Sequence, residues 1–233
     1  MTTVLLVRHG LTAMTGPILA GRTPGVDLDD RGRAQAAEVA RRLAGVAIER
    51  IVSSPLERCQ QTAQLIAESR GVAVETDARL TECGYGDWTG QEIKKLAKDP
   101  LWKVVQSHPS AVTFPGDGGE AMRDAQVRAV DAIRSWNETL GTGATWLACS
   151  HADILKAIVA DALGMHLDTF QRIVVDPCSV TVINYTALRP FVVRVNDTGT
   201  DLATLLAPPK KSSRSRRATA SSDAVVGGGA GAE

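Results

Sequence analysis

Five side chains of this sequence have the chemistry of a catalytic set: Arg8, His9, Arg58, Glu82 and His151. Two guanidiniums converging with two imidazoles, and no cage of carboxylates for a metal, make a site for a doubly charged oxyanion. Phosphate is the common one in a cell. Phosphoryl transfer needs little beyond positioning and neutralisation of the equatorial oxygens, which arginines can supply without Mg²⁺. A neutral histidine nitrogen is a good nucleophile toward phosphorus, and the covalent intermediate it forms divides one hard displacement into two. The departing oxygen then needs a proton, for which Glu82 is the available acid. Each residue alone also has an ordinary reading: Arg58 as a surface cation paired with an acid, Glu82 as a solvated loop carboxylate, Arg8-His9-Gly10 as a strand running into a surface loop.

What joins them is where they stand along the chain. Val4-Leu5-Leu6-Val7 is an apolar run ending abruptly at Arg8-His9-Gly10, as a buried strand does when it delivers reactive side chains to a sheet edge. In open α/β sheets the ligand crevice lies beyond the carboxyl ends of the strands, and Gly10 is expected to let the backbone approach a ligand closely. The loop from Leu11 to Leu28, with Gly21-Arg22-Thr23-Pro24-Gly25, is suited to substrate contacts. Acids at Asp29 and Asp30 open a helix whose buried face is expected to be Ala34, Ala37, Ala40 and Leu43. Arg50 to Ser53 reads as a second strand, followed by Ser54 as N-cap and Pro55 at the first helical position. Arg58 then sits in the first turn, where the helix dipole disfavours a cation unless an anion is bound there.

A strand near Val72 to Thr76 leads into the glycine-studded loop Arg79 to Gly90, which carries Glu82. A short helix over 91–98 and a loop over 107–119 precede a long helix, 120–140, with Met122, Ala125, Ala129, Ile133 and Trp136 on one apolar stripe. Ala144 to Cys149 is again a buried strand, ending in Ser150-His151-Ala152-Asp153 before a helix from Ile154 to Leu163 that Gly164 stops. A parallel sheet would therefore bring His9, Arg58 and His151 to equivalent ends of three strands. Val180 to Tyr185 and Phe191 to Val195 close the sheet. This order predicts an α/β fold: a three-layer sandwich with a mostly parallel central sheet flanked by helices. His108 and His166 receive no role.

Composition sets the bounds. The 233 residues are 44% hydrophobic and 22% charged, an ordinary globular composition with room for one large α/β domain. No stretch approaches a membrane span and no signal core opens the chain, so a cytoplasmic protein with no membrane partner is expected. Cys59, Cys83, Cys149 and Cys178 are widely spaced, as free thiols are, with no zinc-ligand pattern. Up to residue 206 the chain has 21 basic and 24 acidic side chains, a net charge of −3, which argues against nucleic acid as a ligand. The domain is expected to span 1–206. Residues 207–233, Ser, Ala and Gly rich with a basic cluster, are expected to form a disordered tail without influence on turnover of small substrates.

Several ordered motifs then resemble the histidine phosphatase superfamily, in its phosphoglycerate-mutase-like branch: Leu6-Val7-Arg8-His9-Gly10, Ser53-Ser54-Pro55 with Arg58, Glu82 before Gly86-Asp87-Trp88-Thr89-Gly90, Gly118-Gly119-Glu120, and Ser150-His151. The resemblance covers roughly residues 1 to 200. It implies that His9 is the phosphorylated nucleophile, that Arg8, Arg58 and His151 grip the phosphoryl oxygens, and that Glu82 is first proton donor and then base for water. It also implies a substrate-binding role for Thr15 and Arg22. Thr15 stands where members often carry a phosphate-contacting asparagine, Ala152 where glycine usually follows the second histidine, and Ala121 where serine commonly follows Gly-Gly-Glu.

The expected activity is a phosphomonoesterase acting on a small phosphorylated metabolite through a phosphohistidine, with no metal and no cofactor. Phosphoglycerate-mutase-type transfer is the runner-up, disfavoured because the loop after Glu82 is short and lacks the longer basic insertion of bisphosphoglycerate-dependent mutases. A non-catalytic phospholigand-binding protein ranks behind both, since every catalytic group is present. A metal hydrolase built on His9, His151 and Asp153 lacks paired ligand spacing. Homo-oligomerisation stays open.

Overall fold

Along the first strand, β1 (Thr2–Arg8), Val4 and Leu6 enter one apolar cluster while Leu5 and Val7 enter another. A strand apolar on both faces must be covered on both. The computed structural model describes residues 1–68, 70–201 and 226–228, and in it β1 lies inside a six-stranded sheet of order β3-β2-β4-β1-β5-β6. The other strands are β2 (Arg50–Ser53), β3 (Val74–Thr76), β4 (Thr145–Ser150), β5 (Val180–Tyr185) and β6 (Pro190–Asp197). β3, β2, β4 and β1 run parallel, and β5 and β6 add antiparallel pairings. The expected three-layer α/β architecture is the one observed.

Helices α1 (Asp30–Arg42) and α2 (Glu57–Glu68) pack together over the cluster of Leu5 and Val7; α5 (Met122–Leu140) and α6 (Ala152–Ala162) pack together over that of Val4 and Leu6. From β1 the chain crosses by α1 to β2, beyond β4; from β4 it crosses by α6 to β5, beyond β1. The connections leaving these adjacent strands diverge to opposite faces, and the crevice that opens between them is the usual ligand site of such sheets.

Several expectations of detail are corrected. The buried face of α1 is Gly32, Ala36 and Val39, continued by Leu43, while Ala34 and Ala37 are exposed. In an alanine-rich helix the two larger apolar residues, Val39 and Leu43, set the face. Helix α2 begins at Glu57, two residues beyond Pro55, and the Ser54 hydroxyl both accepts from the Leu56 N–H at 3.4 Å and meets His151 Nε2 at 2.8 Å. A helix without an assignment from sequence, α4 (Pro100–Ser107), is capped by Asp99, whose carboxylate accepts from the Leu101 N–H at 2.8 Å, and it buries Trp102 and Val105. The short helix within 91–98 is α3 (Ile93–Leu96).

Most of the expected tail, 207–233, lies outside the described residues. Val226, Gly227 and Gly228 are described, and they do not lie free of the domain: Val226 is buried in the larger apolar cluster. Among the described residues no helix is long and apolar enough to cross a membrane.

Candidate active site

Pairing of β1 with β4 places Arg8 opposite Ser150, and the His9 N–H donates to the Ser150 carbonyl at 3.0 Å. The two histidines that follow these strands therefore meet in the crevice, ring centroids 5.3 Å apart and edge to face. Arg8, His9, Arg58, Glu82 and His151 are all buried, so the five residues expected to act together do converge.

The His9 ring is fixed by a 2.7 Å contact from Nδ1 to the Gly10 carbonyl. A carbonyl only accepts, so Nδ1 carries the proton and the Nε2 lone pair is left for attack. Burial, then the charges of Arg58 and Arg8, hold the His9 pKa well below its ordinary value. The imidazole is thus neutral at pH 7, as a nucleophile must be.

Gly10 serves a different purpose from the one expected. A Cβ on it would stand 2.6 Å from the Gly32 carbonyl oxygen, and one on Gly32 would stand 2.0 Å from that of Leu11. The two glycines let the loop after β1 lie against the start of α1 rather than against a ligand. The Gly10 N–H donates to Thr62 Oγ1 at 3.1 Å, and that hydroxyl donates to the Arg58 carbonyl at 2.7 Å, so α2 anchors the loop that carries the nucleophile.

Arg58, in the first turn of α2, donates from Nη2 to the Gly21 carbonyl at 2.6 Å and to His151 Nδ1 at 3.3 Å. Its buried Nε and Nη1 have no hydrogen-bond partner among the described residues. A buried cation with two open donors at a helix N-terminus is an anion site on three counts: charge, dipole and unmet hydrogen bonding. Arg8 donates from Nη1 to the Val175 carbonyl at 2.9 Å.

Arg58 can only donate, so His151 Nδ1 accepts, and the remaining ring proton goes from Nε2 to Ser54 Oγ at 2.8 Å. Burial, followed by Arg58 and His9, depresses the His151 pKa well below normal. In the free protein His151 is a neutral, fully buried dipole. A dianion between the arginines opposes the same charges that depress both imidazoles.

Glu82 shows the opposite perturbation. Burial, then the negative charge of Asp153, push its carboxyl up to about 7, against the pull of the Cys83 N–H, Arg58 and Arg8. It accepts from the Cys83 N–H at 2.9 Å and has Oε2 3.9 Å from His151 Nδ1. A carboxyl poised near neutrality can give a proton and take one back.

Thr15 lines the cavity, its hydroxyl accepting from the Thr12 N–H at 3.0 Å. Arg22 lies against the backbone of Glu82. Its Nε donates to the Glu82 carbonyl at 2.8 Å and its Nη2 pairs with Glu120 at 2.8 Å, so its guanidinium is directed to holding the acid's backbone. Arg128, unremarked in the sequence, donates to the same carbonyl at 3.1 Å and binds both oxygens of Glu120. The Gly-Gly-Glu motif was the available signal for this clamp. Tyr85 and Asp153 were also missed as a pair: the phenol donates to Asp153 Oδ2 at 2.8 Å, and Lys156 Nζ lies 3.6 Å from Oδ1. Among the described residues no group of three or more His, Cys, Asp or Glu is placed to hold a metal ion.

Comparison with known proteins gives relatives across the whole domain. The family profile described as histidine phosphatase superfamily (branch 1) matches residues 4–198. Phosphoserine phosphatase 1 of Hydrogenobacter thermophilus is 29% identical over 85% of this chain and 93% of its own length. A probable phosphoglycerate mutase, GpmB, of Klebsiella pneumoniae is 30% identical over 89% of this chain and 97% of its own. Among solved structures, a phosphoserine phosphatase of Entamoeba histolytica in complex with 3-phosphoglyceric acid superposes with a TM-score of 0.76 at 25% identity, covering 84% of this chain and 98% of that one. YhfR of Bacillus stearothermophilus gives 0.75 at 27% identity over 84% and 98%.

Proposed function

From the premise that this chain belongs to the histidine phosphatase superfamily, we propose that it hydrolyses a small phosphomonoester through a phosphohistidine on His9, without a metal ion. In the first step Nε2 of His9 attacks phosphorus, the P–O bond to the ester oxygen breaks, and Glu82 gives that oxygen its proton. Arg8 and Arg58 neutralise the equatorial oxygens, and His151 sits beside them as the residue whose charge answers the dianion. In the second step the Glu82 carboxylate takes a proton from water, the water oxygen attacks phosphorus, and the P–N bond breaks. Phosphate leaves, and His9 and Glu82 are restored to their starting states.

The observation that carries this reading is the His9 ring, neutral and tied through Nδ1 to Gly10, so that Nε2 keeps its lone pair while the buried charges of Arg58 and Arg8 act on the ring. The test is trapping of labelled, acid-labile phosphoenzyme from a panel of phosphomonoesters, with His9→Ala as control. The relatives put phosphoserine and 3-phosphoglycerate first in that panel. The wild type should label and turn over, and the variant should do neither. Labelling of His9→Ala at the wild-type level refutes the assignment.

The relatives that bear a mutase name support a second reading, transfer back to a phosphoglycerate. Here Glu82 is followed within four residues by the tight turn Gly86–Trp88, with no basic insertion between them, which favours water as the acceptor. Assay of 3-phosphoglycerate with and without bisphosphoglycerate separates the two, as isomerisation or release of inorganic phosphate.

A further inference from the structure

The cavity bounded by Arg8, His9, Arg58 and Glu82 has a fourth wall made by the far end of the chain: Val226, Gly227 and Gly228 line it too. The space left is about 30 Å³, room for on the order of two water molecules, whereas small-molecule sites run to several hundred Å³. Three features fit this tripeptide to its place. Val226 is 1% exposed and joins the main apolar cluster. The Gly227 N–H donates at 2.9 Å to Oδ2 of Asp153, the buried carboxylate that also accepts from Tyr85. Gly227 and Gly228 have φ of +77° and +76°, a left-handed conformation that favours glycine. A Cβ on Gly227 would stand 2.7 Å from a Leu19 methyl; one on Gly228 would stand 2.4 Å from the Ala152 methyl and 3.1 Å from the Arg8 guanidinium carbon. Only a segment without side chains can lie this close to Arg8.

We infer that the catalytic pocket is also a peptide-binding site, that its occupant is the chain's own Val226–Gly228, and that occupant and phosphorylated ligand exclude each other. Asp153 and the cluster around Val226 hold the peptide, and its glycines lie where the organic part of an ester must pass to reach His9. Bound peptide lowers the apparent affinity for any phosphate ligand by the fraction of molecules left open. The inference rests on the phosphatase reading only for where substrate goes.

The experiment uses the full-length chain and two full-length variants, Gly228→Val and Val226→Asp, with inorganic phosphate and p-nitrophenyl phosphate as probes. With nine molecules in ten occupied, undocking should tighten phosphate binding by about tenfold in calorimetry. It should raise kcat/KM for p-nitrophenyl phosphate by the same factor through KM, with kcat unchanged. A synthetic peptide of residues 224–230 should reverse both effects in the variants as a competitive inhibitor. Unchanged phosphate affinity in both variants overturns the inference. A fall in kcat/KM also overturns it, by making the segment a working wall of the site. If phosphate binding tightens while no protein turns over any ester, self-occupancy stands and the phosphatase reading fails; normal turnover with unaltered phosphate binding is the reverse outcome.

Discussion

Replacing Glu82 by glutamine removes an ionisable carboxyl from a place where its charge has no water. Burial and the neighbouring Asp153 raise this carboxyl from 4.5 to about 7. A group that holds its proton more tightly when folded makes the native state lose stability as pH rises. Its contribution is fully present below about 4.5, declines between there and 7, and is gone above 7. At 1.36 kcal/mol per pKa unit the 2.5-unit gap amounts to about 3 kcal/mol. Glutamine is a permanent analogue of the protonated form and keeps the carbonyl that accepts from the Cys83 N–H. Urea unfolding of both proteins from pH 5 to pH 9 should therefore show Glu82→Gln gaining on the wild type by up to about 3 kcal/mol, most of it before pH 7.5. The difference at pH 5 absorbs whatever the amide itself loses, so the diagnostic is the change with pH. A pH-independent difference would mean that the carboxyl titrates normally and that the electrostatic reasoning fails.

The same substitution should slow phosphorylation of His9 by alkyl phosphates about 10²- to 10⁴-fold in single-turnover labelling, and far less for p-nitrophenyl phosphate, whose leaving group departs without a proton. Equal slowing would remove Glu82 as the leaving-group acid. Activity should persist in EDTA, because Arg8 and Arg58 carry the charge that a metal would otherwise supply; loss on chelation with recovery on adding a divalent ion would refute that. Ser54→Ala leaves the buried His151 Nε2–H with only the Cys59 sulfur, 3.4 Å away, and should destabilise by about 1–3 kcal/mol in urea; a neutral effect would show that this hydrogen bond carries no net stability. Gly32→Ala should destabilise by about 1–3 kcal/mol and raise KM, despite alanine's better helix propensity, because its methyl would meet the Leu11 backbone at 2.0 Å; a stabilised variant would show that the loop yields freely.

What the sequence made legible is what obeys a period or a fixed motif. Strands β1, β2 and β4 could be found because each is an apolar run that stops at a residue a core cannot use, and parallel pairing then brings Arg8, His9, Arg58 and His151 together. The buried face of α1 was misread because alanine carries too little apolar area to define a stripe. The true face depends on Gly32 meeting Leu11, a contact between residues far apart in sequence. Arg22, which the resemblance assigns to the substrate, also holds the Glu82 carbonyl and Glu120, a pairing that only the folded chain reveals. Val226–Gly228 escaped for a related reason. Patterning detects elements that pack along their length, whereas this contact is one valine in a hollow and two glycines thin enough to lie on Arg8. Its complement, Asp153 with Tyr85, is assembled from the starts of two unconnected elements. A low-complexity composition argues against a packed core of its own, and leaves undecided whether three of its residues fit into someone else's.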